Sequence, residues 1–317
     1  MKSKKFFFIS LLSLASVSLA GCVFDNIFKK NTDNNDSSQD TQETDDSSQQ
    51  QQQEEEVDID IPAYDWQKDK TRIQNYYSSI DGNKTGTELL SALRSLNSTK
   101  KTYSITYKSM GTSPSPYFMY TDFDPDPEKV RYTANGIPYS TSILSFYSGK
   151  SATSFNKEHV WPDSRGGNKV ENDILMPRPT INAENSARGN SPFITGMTDD
   201  KNGWDPVAAF ANSIGVYESI RGESARIIFY CMVANSSLVL NETVSNQGNN
   251  MASLNNLVEW ACENPVNPRE RRRNVGAQYL QGNRNVFVDH PEYVCKIWGN
   301  SSSATRSACQ KANYAIN

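Results

Sequence analysis

With 317 residues, of which 36% are hydrophobic, the chain is long enough for one large globular domain, and it contains no internal repeat. Its formal net charge of −4 at pH 7 is set near the N-terminus: residues 1–62 hold 12 acids and 5 bases, which leaves 24 acids and 27 bases in residues 63–317. The net charge of the predicted domain is therefore near +3, which permits a polyanionic ligand without requiring one, and the absence of a Cys-x-x-Cys pair argues against a zinc site.

The N-terminus carries the features of an export signal. Lys4 and Lys5 directly precede an apolar run at residues 6–19, which is too short for a stable membrane span of roughly 20 residues. Residues 19–22 read Leu-Ala-Gly-Cys, which is similar to the lipobox of bacterial lipoproteins. We therefore predict a signal peptide over residues 1–21 and a lipidated Cys22 on the outer face of the cytoplasmic membrane. An ordinary signal peptide with an incidental cysteine is the alternative.

A polar segment follows Cys22. Residues 31–56 consist of Asp, Asn, Ser, Gln, Thr and Glu without an aliphatic residue, so this segment cannot bury a core. We expect residues 22–62 to form a disordered acidic tether that holds a single domain, residues 63–317, away from the membrane.

The predicted domain contains four cysteines, Cys231, Cys262, Cys295 and Cys309. An even number in an exported chain is compatible with two disulfides in any of three pairings. Cys231 lies in the apolar run 227–233, where a buried free thiol is an equally good interpretation. The sequence therefore leaves the disulfide state open.

Apolar periodicity predicts a helix-rich, mixed α+β domain. Four leucines between residues 89 and 96 have the spacing of an amphipathic helix. Residues 143–147 have the pattern of a short buried strand that ends in a turn. Further helical patterns lie near residues 205–214, 219–234, 253–263 and 268–281. For the arginines of the last helix, Arg269, Arg271, Arg272 and Arg273, we favour a solvated face over contacts with a nucleic-acid backbone.

The chain has two histidines, His159 and His290. Imidazole is the side chain whose pKa lies nearest neutrality, so any histidine-dependent acid–base catalysis must use one of them. His159 directly follows Glu158, shortly after the predicted strand and turn, where catalytic groups are commonly presented. His290 lies beyond a predicted helix and can equally be a hydrogen-bonded structural residue. A Glu-His pair is weak evidence by itself, because adjacent side chains of a strand point to opposite faces.

Several short segments together point to a family. In chain order they are Glu-His-Val-Trp-Pro at 158–162, Asp173, Asn-Ser-Ala-Arg-Gly-Asn at 185–190, Gly-Glu-Ser-Ala-Arg-Ile-Ile-Phe-Tyr at 222–230, Asn274, and the C-terminal signature at 281–293. An ordered set of matches is far more specific than any one short motif. With these matches, residues 75–299 resemble the endonuclease I family of secreted nucleases.

The resemblance implies a ββα-metal site, also called a His-Me finger, within the larger domain. In such a site neutral His159 would take a proton from the attacking water, while Glu158 and Asn185 hold one divalent metal. Two protein ligands leave positions for water and phosphate oxygens, which suits Mg²⁺, with Ca²⁺ and Mn²⁺ as alternatives. The implied activity is hydrolysis of DNA, and also of RNA, to 5′-phosphate ends without marked sequence preference.

Arginines near the site are the candidates for binding phosphate, because a planar guanidinium contacts two oxygens at once. Arg188 is the first candidate and Arg165 the second, and Asn190 is a further substrate-binding candidate. For Arg188 the structural alternative is an ion pair or a carbonyl contact that fixes the helix of Asn185.

One segment departs from the family pattern. Many relatives have Leu-His-His-Leu or Leu-His-Asn-Leu where this chain has Ile-Leu-Met-Pro at residues 174–177. A histidine expected near Leu175 is therefore absent. We expect activity to survive, because the predicted base and metal ligands are intact, although the support of the site by its neighbours is weakened.

Two other functions compete with a non-specific nuclease. A surface lipoprotein on a decayed nuclease scaffold would bind nucleic acid or host surfaces without cleavage, but the intact Glu158, His159 and Asn185 argue against it. A site-specific HNH-type enzyme conflicts with export. The preferred hypothesis is a monomeric, lipid-anchored nuclease that degrades extracellular DNA or scavenges nucleotides.

Overall fold

The computed structural model describes residues 61, 64–111, 115–199, 202–213, 215–217, 219–242, 250–251 and 253–316. These residues belong to one unit of the chain, Glu55–Asn317. The predicted signal peptide, Cys22 and the predicted tether up to residue 60 lie outside the described residues.

Ile61, which the sequence assigns to the tether, lies in the folded unit. Its side chain is 4% exposed and packs in a small cluster with Phe123, Val130, Ile137 and Val275. Full burial of an isoleucine contributes about 1.5–3 kcal/mol. In the sequence Ile61 ends a short alternation of aliphatic and acidic residues at 57–61, which is too brief to show that its last residue packs against the domain.

Helices make up most of the regular structure. They are α1 (Trp66–Tyr77), α2 (Gly86–Lys100), α3 (Phe118–Thr121), α4 (Asn182–Arg188), α5 (Pro206–Phe210), α6 (Ile220–Ala234), α7 (Leu254–Glu263), α8 (Pro268–Gln281), α9 (Val286–Asp289), α10 (Tyr293–Trp298) and α11 (Ser303–Lys311). The predicted helices at 219–234, 253–263 and 268–281 correspond to α6, α7 and α8, and the predicted helix-rich α+β class is confirmed. Within the described part of the chain, no helix combines the length and apolarity that a membrane span requires.

The strands are short and pair in twos among the described residues. The antiparallel pairs are β1 (Arg131–Tyr132) with β2 (Pro138–Tyr139), β3 (Asn156–His159) with β4 (Pro177–Thr180), and β5 (Thr198–Asp199) with β6 (Gly203–Trp204), and the parallel pair is β7 (Val239–Leu240) with β8 (Asn250–Met251). The pair β3–β4 places Glu158 opposite Arg178 and His159 opposite Pro177.

The prediction of a strand at residues 143–147 is wrong. Ile143 and Leu144 form only isolated bridges, and the chain turns at residues 146–148. The segment is nevertheless buried, and Tyr147 is fully enclosed. A short apolar run indicates burial, but it does not by itself distinguish a strand from a buried turn.

Helix α6 lies in the middle of the main hydrophobic cluster. Its side chains are buried from Ile220 to Val233 with only Arg221 partly exposed, and it packs against α2, α5, α7 and α9. A helix that is buried on nearly all sides must be surrounded by other elements. Helices α2, α5, α7 and α9 provide much of this cover.

The arginines of α8 are largely buried, so the prediction that they form a solvated face is wrong. Arg269 and Arg273 are both enclosed. Arg269 donates to the backbone oxygen of Phe146, while Arg273 pairs with Asp122 and donates to the backbone oxygen of Pro177. Their partners come from distant parts of the sequence, which the local pattern of arginine and glutamate in α8 cannot reveal.

Arg178 of β4 is the centre of a fully buried ion network. It pairs with Asp122 at 2.8 Å and with Glu223 of α6, and Arg273 of α8 also contacts Asp122. Burial alone would raise the pKa of Asp122, but Arg273 and Arg178 hold it below its ordinary value. The network therefore joins β4 to α6 and α8 through charges that have no access to water.

Candidate active site

Strand β3 presents adjacent side chains to opposite environments. Glu158 is 2% exposed, whereas the side chain of His159 at the end of the strand is 16% exposed. This alternation follows from the pleat of a strand. Helix α4, which carries Asn185, comes directly after β4 in the chain and packs against β3. The order β3, β4, α4 therefore brings the predicted base and both predicted metal ligands into one part of the fold.

The imidazole of His159 has two neighbours that fix its orientation. Its Nε2 lies 3.2 Å from Oε2 of Glu171, and its ring packs on Tyr107 with 4.4 Å between the ring centroids. Burial lowers the pKa of His159, and Glu171 opposes this shift only in part. The contact with Glu171 favours the tautomer with its proton on Nε2, so that the lone pair lies on Nδ1.

Glu171 and Tyr107 were not identifiable as site residues from the sequence. Glu171 lies in the connection between β3 and β4, and Tyr107 belongs to a short 3₁₀ helix, Tyr107–Met110, far earlier in the chain. A carboxylate in the loop that links two paired strands is the only signal that points to Glu171. The position of Tyr107 depends on tertiary packing.

The Glu158 carboxylate points into the protein. Its Oε1 accepts a hydrogen bond of 2.8 Å from the Tyr147 hydroxyl and lies 3.3 Å from Nε of Arg188. Burial raises the pKa of Glu158 to about 7, and this effect outweighs the opposite effects of Arg188 and Tyr147. Oε2 takes part in neither contact. A cation at Oε2 would favour the ionised form of this carboxylate.

Asn185 is half-buried on a helix that is firmly attached to its surroundings. The preceding residue, Glu184, is buried and accepts hydrogen bonds from Ser145 at 2.5 Å and Thr180 at 3.3 Å. These bonds fix the backbone of α4 next to Asn185. An amide oxygen together with a carboxylate oxygen is a donor set that fits a hard divalent cation such as Mg²⁺.

Arg188 has the geometry of a structural residue. Its side chain is 0% exposed and donates to the backbone oxygens of Val160 at 2.9 Å and Gly189 at 3.0 Å, besides its contact with Glu158. These contacts attach α4 to the segment that begins with β3. They favour a structural role for Arg188 over direct contact with phosphate. Phosphate binding by Arg188 stays a prediction.

The other two substrate-binding candidates contact each other. Arg165 is 9% exposed, and its Nε donates to the backbone oxygen of Asn190 at 2.8 Å. A second guanidinium nitrogen of Arg165 lies 3.4 Å from the backbone oxygen of Asn250. Asn190 itself is exposed. Phosphate binding by either residue stays a prediction, and Asn190 is the more accessible of the two.

The segment that lacks the family histidine lies in the hydrophobic core. Ile174, Leu175 and Met176 are all buried. Leu175 therefore occupies an enclosed position in the core.

The second histidine, His290, is packed between aromatic rings. Its ring lies 4.8 Å from Tyr77 and 4.7 Å from Tyr293, measured between centroids, and its Nδ1 is 3.1 Å from Glu292. These contacts agree with a structural role for His290.

Comparison with known proteins places the chain in a family. A family model described as Endonuclease I matches residues 82–292. The chain belongs to the endonuclease I family. It is therefore a nuclease, a class of hydrolase, and members of this family generally depend on a divalent metal.

Two endonuclease I relatives match across most of their length. An extracellular ribonuclease of Bacillus amyloliquefaciens is 32% identical over 251 residues, which cover 71% of this chain and 78% of the relative. An extracellular ribonuclease of Bacillus subtilis (strain 168) is 31% identical over 250 residues, which cover 70% of this chain and 78% of the relative.

Several residues of the endonuclease I pattern bond to one another inside the fold. Asp173 accepts hydrogen bonds from Gln281 and, at 3.1 Å, from Asn283. These bonds join the segment before β4 to the C-terminal signature. Arg226 of α6 donates to both oxygens of Glu270 at 2.6 Å. Much of the pattern therefore maintains the fold that positions β3 and α4.

Proposed function

We propose that the chain is an extracellular, metal-dependent endonuclease that hydrolyses DNA and RNA to 5′-phosphate ends with little sequence preference, acting as a monomer. The proposal depends on the arrangement at the end of β3. There Glu171 contacts the His159 imidazole, and helix α4, which carries Asn185, packs against the strand of Glu158. The order β3, β4, α4 supports a ββα-metal core. The relatives named extracellular ribonuclease support RNA as a substrate.

In this proposal His159 is the general base. Its Nδ1 accepts a proton from a water molecule as the water oxygen attacks phosphorus, while Glu171 holds the Nε2 proton and stabilises the imidazolium that forms. Because burial lowers the pKa of His159, the ring is neutral and able to accept a proton at neutral pH. Tyr107 restricts the ring to one orientation. Departure of the 3′ oxygen leaves the phosphate on the 5′ oxygen of the downstream nucleotide, which gives a 5′-phosphate end.

Glu158, through Oε2, and Asn185, through its side-chain oxygen, are the residues that would hold a divalent cation. We propose Mg²⁺ as this cation, with Ca²⁺ and Mn²⁺ as alternatives. Such a cation, when bound, supplies positive charge that stabilises the phosphate and the departing 3′ oxygen. The buried contacts of Glu158 with Tyr147 and Arg188 hold the carboxylate in place for this role.

Digestion of nucleic acid by purified residues 23–317 tests the proposal. We expect cleavage of circular and linear DNA and of RNA with Mg²⁺ and none with EDTA, and the DNA products should be ligatable because they carry 5′ phosphates. Asn185→Ala should raise the Mg²⁺ concentration for half-maximal activity by about 10- to 100-fold, since it removes one ligand. Asn182→Ala, an exposed asparagine of the same helix, is the matched control and should leave the metal titration unchanged.

Two results would contradict this interpretation. Cleavage that persists in EDTA, or a metal titration of Asn185→Ala equal to that of the unaltered chain, would refute the metal site. A folded protein that binds nucleic acid but cleaves none with any divalent metal would instead indicate the non-catalytic scaffold.

We further propose that the protein is exported and anchored by a lipid on Cys22, and that it scavenges nucleotides or degrades extracellular DNA. The export signal in residues 1–21 and the relatives named extracellular support this location. Bacteria that express the full chain should incorporate labelled fatty acid into the protein, and Cys22→Ala should abolish the label. Cys231→Ala is the control that keeps it. Equal labelling of the Cys22→Ala protein would refute the anchor.

A further inference from the structure

Three cysteine sulfur atoms meet where α7, α10 and α11 pack together. Cys295 of α10 and Cys309 of α11 form a disulfide, and Sγ of Cys262 in α7 lies 3.5 Å from Sγ of Cys295. The three sulfur atoms all lie within 4.8 Å of one another. Cys231 is a separate, buried free thiol in α6. A free thiol is therefore in direct contact with a disulfide.

We propose that Cys262 exchanges with this disulfide, so that the protein can carry either of two cross-links that share Cys295. The Cys262 thiolate attacks Sγ of Cys295, a Cys262–Cys295 bond forms, the Cys295–Cys309 bond breaks, and the electron pair leaves on Sγ of Cys309. Cys309 then takes up the proton that Cys262 released. One disulfide and one thiol are present before and after, so the exchange needs no oxidant or reductant.

The position of Cys262 favours this exchange. Thiol–disulfide exchange requires direct access of the thiolate to one sulfur of the bond, and a distance of 3.5 Å places the two sulfur atoms in contact. The existing cross-link joins residues 14 apart in sequence, and the alternative would join residues 33 apart. Loop-closure entropy changes slowly with loop length, so the longer loop of the Cys262–Cys295 cross-link costs little additional chain entropy.

The surroundings of Cys262 make the exchange slow at neutral pH. Burial raises the pKa of the Cys262 thiol to about 11, while Arg226 of α6 lowers it and Glu263 raises it. Only the thiolate attacks, so below this pKa the rate should rise about tenfold for each pH unit. The exchange transfers the free thiol from half-buried position 262 to fully buried position 309, where it is shielded from external oxidants.

Peptide mapping distinguishes the two cross-links. Trypsin places Cys262, Cys295 and Cys309 in separate peptides, residues 227–269, 285–296 and 307–311. Since Cys231 shares the first of these peptides, the full chain with Cys231→Ala is the parent protein. Each sample is quenched in acid, alkylated under denaturing conditions and digested, so that the linked peptides identify the cross-link that was present.

The decisive variant is Cys309→Ala in this parent. In a glutathione redox buffer it should close a Cys262–Cys295 disulfide, at a rate that rises about tenfold per pH unit between about pH 7 and 9. Cys262→Ala in the same parent is the control and should show only the Cys295–Cys309 link. A folded Cys309→Ala protein that keeps Cys262 and Cys295 unlinked to each other would overturn the proposal.

If the Cys309→Ala protein does not fold, peptide mapping of the parent protein tests the proposal. Its digest should contain peptide 285–296 linked to peptide 227–269 as well as to peptide 307–311. Detection of the first linked pair supports the exchange, and its absence after incubation at pH 9 refutes it.

Discussion

The His159→Ala protein should lose about 10²- to 10⁴-fold in the rate of DNA and RNA cleavage, which is the usual contribution of a positioned general base. The loss should appear in kcat, because the imidazole acts on the attacking water. The fold should remain, since His159 lies at the end of β3 and is partly exposed. Initial rates at saturating Mg²⁺ and thermal melting of the same samples measure both quantities.

Two further variants make this test specific. His290→Ala removes the other histidine, which packs between Tyr77 and Tyr293, and should cleave at nearly the normal rate below its melting temperature. Glu171→Gln should lose about 10- to 100-fold, because an amide cannot balance the charge of the imidazolium. Combined with His159→Ala, Glu171→Gln should add little, because Glu171 acts through the imidazole. An active His159→Ala protein would exclude His159 as the base.

Arg178→Met should lower the free energy of unfolding by about 3–5 kcal/mol, which is the usual effect of removing one partner from a buried ion pair. Asp122 and Glu223 would remain in the core without the arginine that contacts both of them. Urea unfolding at neutral pH measures the change. Lys84→Ala is the control: Lys84 pairs with Glu88, the two side chains are 40% and 77% exposed, and its loss should cost about 1 kcal/mol or less.

The pH dependence gives the Arg178 prediction a second test. In the unaltered protein the pKa of Asp122 lies below its ordinary value, so the ionised carboxylate stabilises the fold at neutral pH. This stabilisation is lost as the pH falls below about 3.9, the ordinary pKa of an aspartate, towards the lowered pKa. In the variant Asp122 keeps its contact with Arg273 but loses Arg178, so its pKa should be higher than in the unaltered protein, and acidification removes a charge that is less well compensated. The stability deficit of Arg178→Met should therefore shrink as the pH falls. A deficit independent of pH would contradict the role of the network.

The sequence revealed the parts of the fold that depend on local patterns. The apolar residues of α6 and the regular spacing of leucines in α2 identify helices because the pattern and the structure share one period. The strand predicted at 143–147 and the solvated face predicted for α8 were wrong for a common reason. The environment of each segment depends on residues that are distant in the chain. Arg269 of α8 donates to the backbone oxygen of Phe146, and Arg273 of α8 donates to Asp122.

The candidate site was predictable to a similar degree. His159 stands out because the chain has two histidines and because its neighbours match a family pattern. Glu171 and Tyr107 do not, because their contacts with His159 depend on the path of the chain after β3 and on packing. For Arg188 the sequence allowed two roles, and its complete burial, which only the structure shows, favours the structural one.

The bonds among Asp173, Gln281 and Asn283, and between Arg226 and Glu270, have an evolutionary consequence. Selection for a stable fold alone would preserve these residues, because loss of a buried charged partner destabilises a protein by several kcal/mol. A descendant in which another residue replaces His159 or Asn185 would therefore still match the family model over nearly the same range of residues. Inactive paralogues in genome surveys should be recognised at the few half-buried positions of β3 and α4, where substitution leaves folding intact.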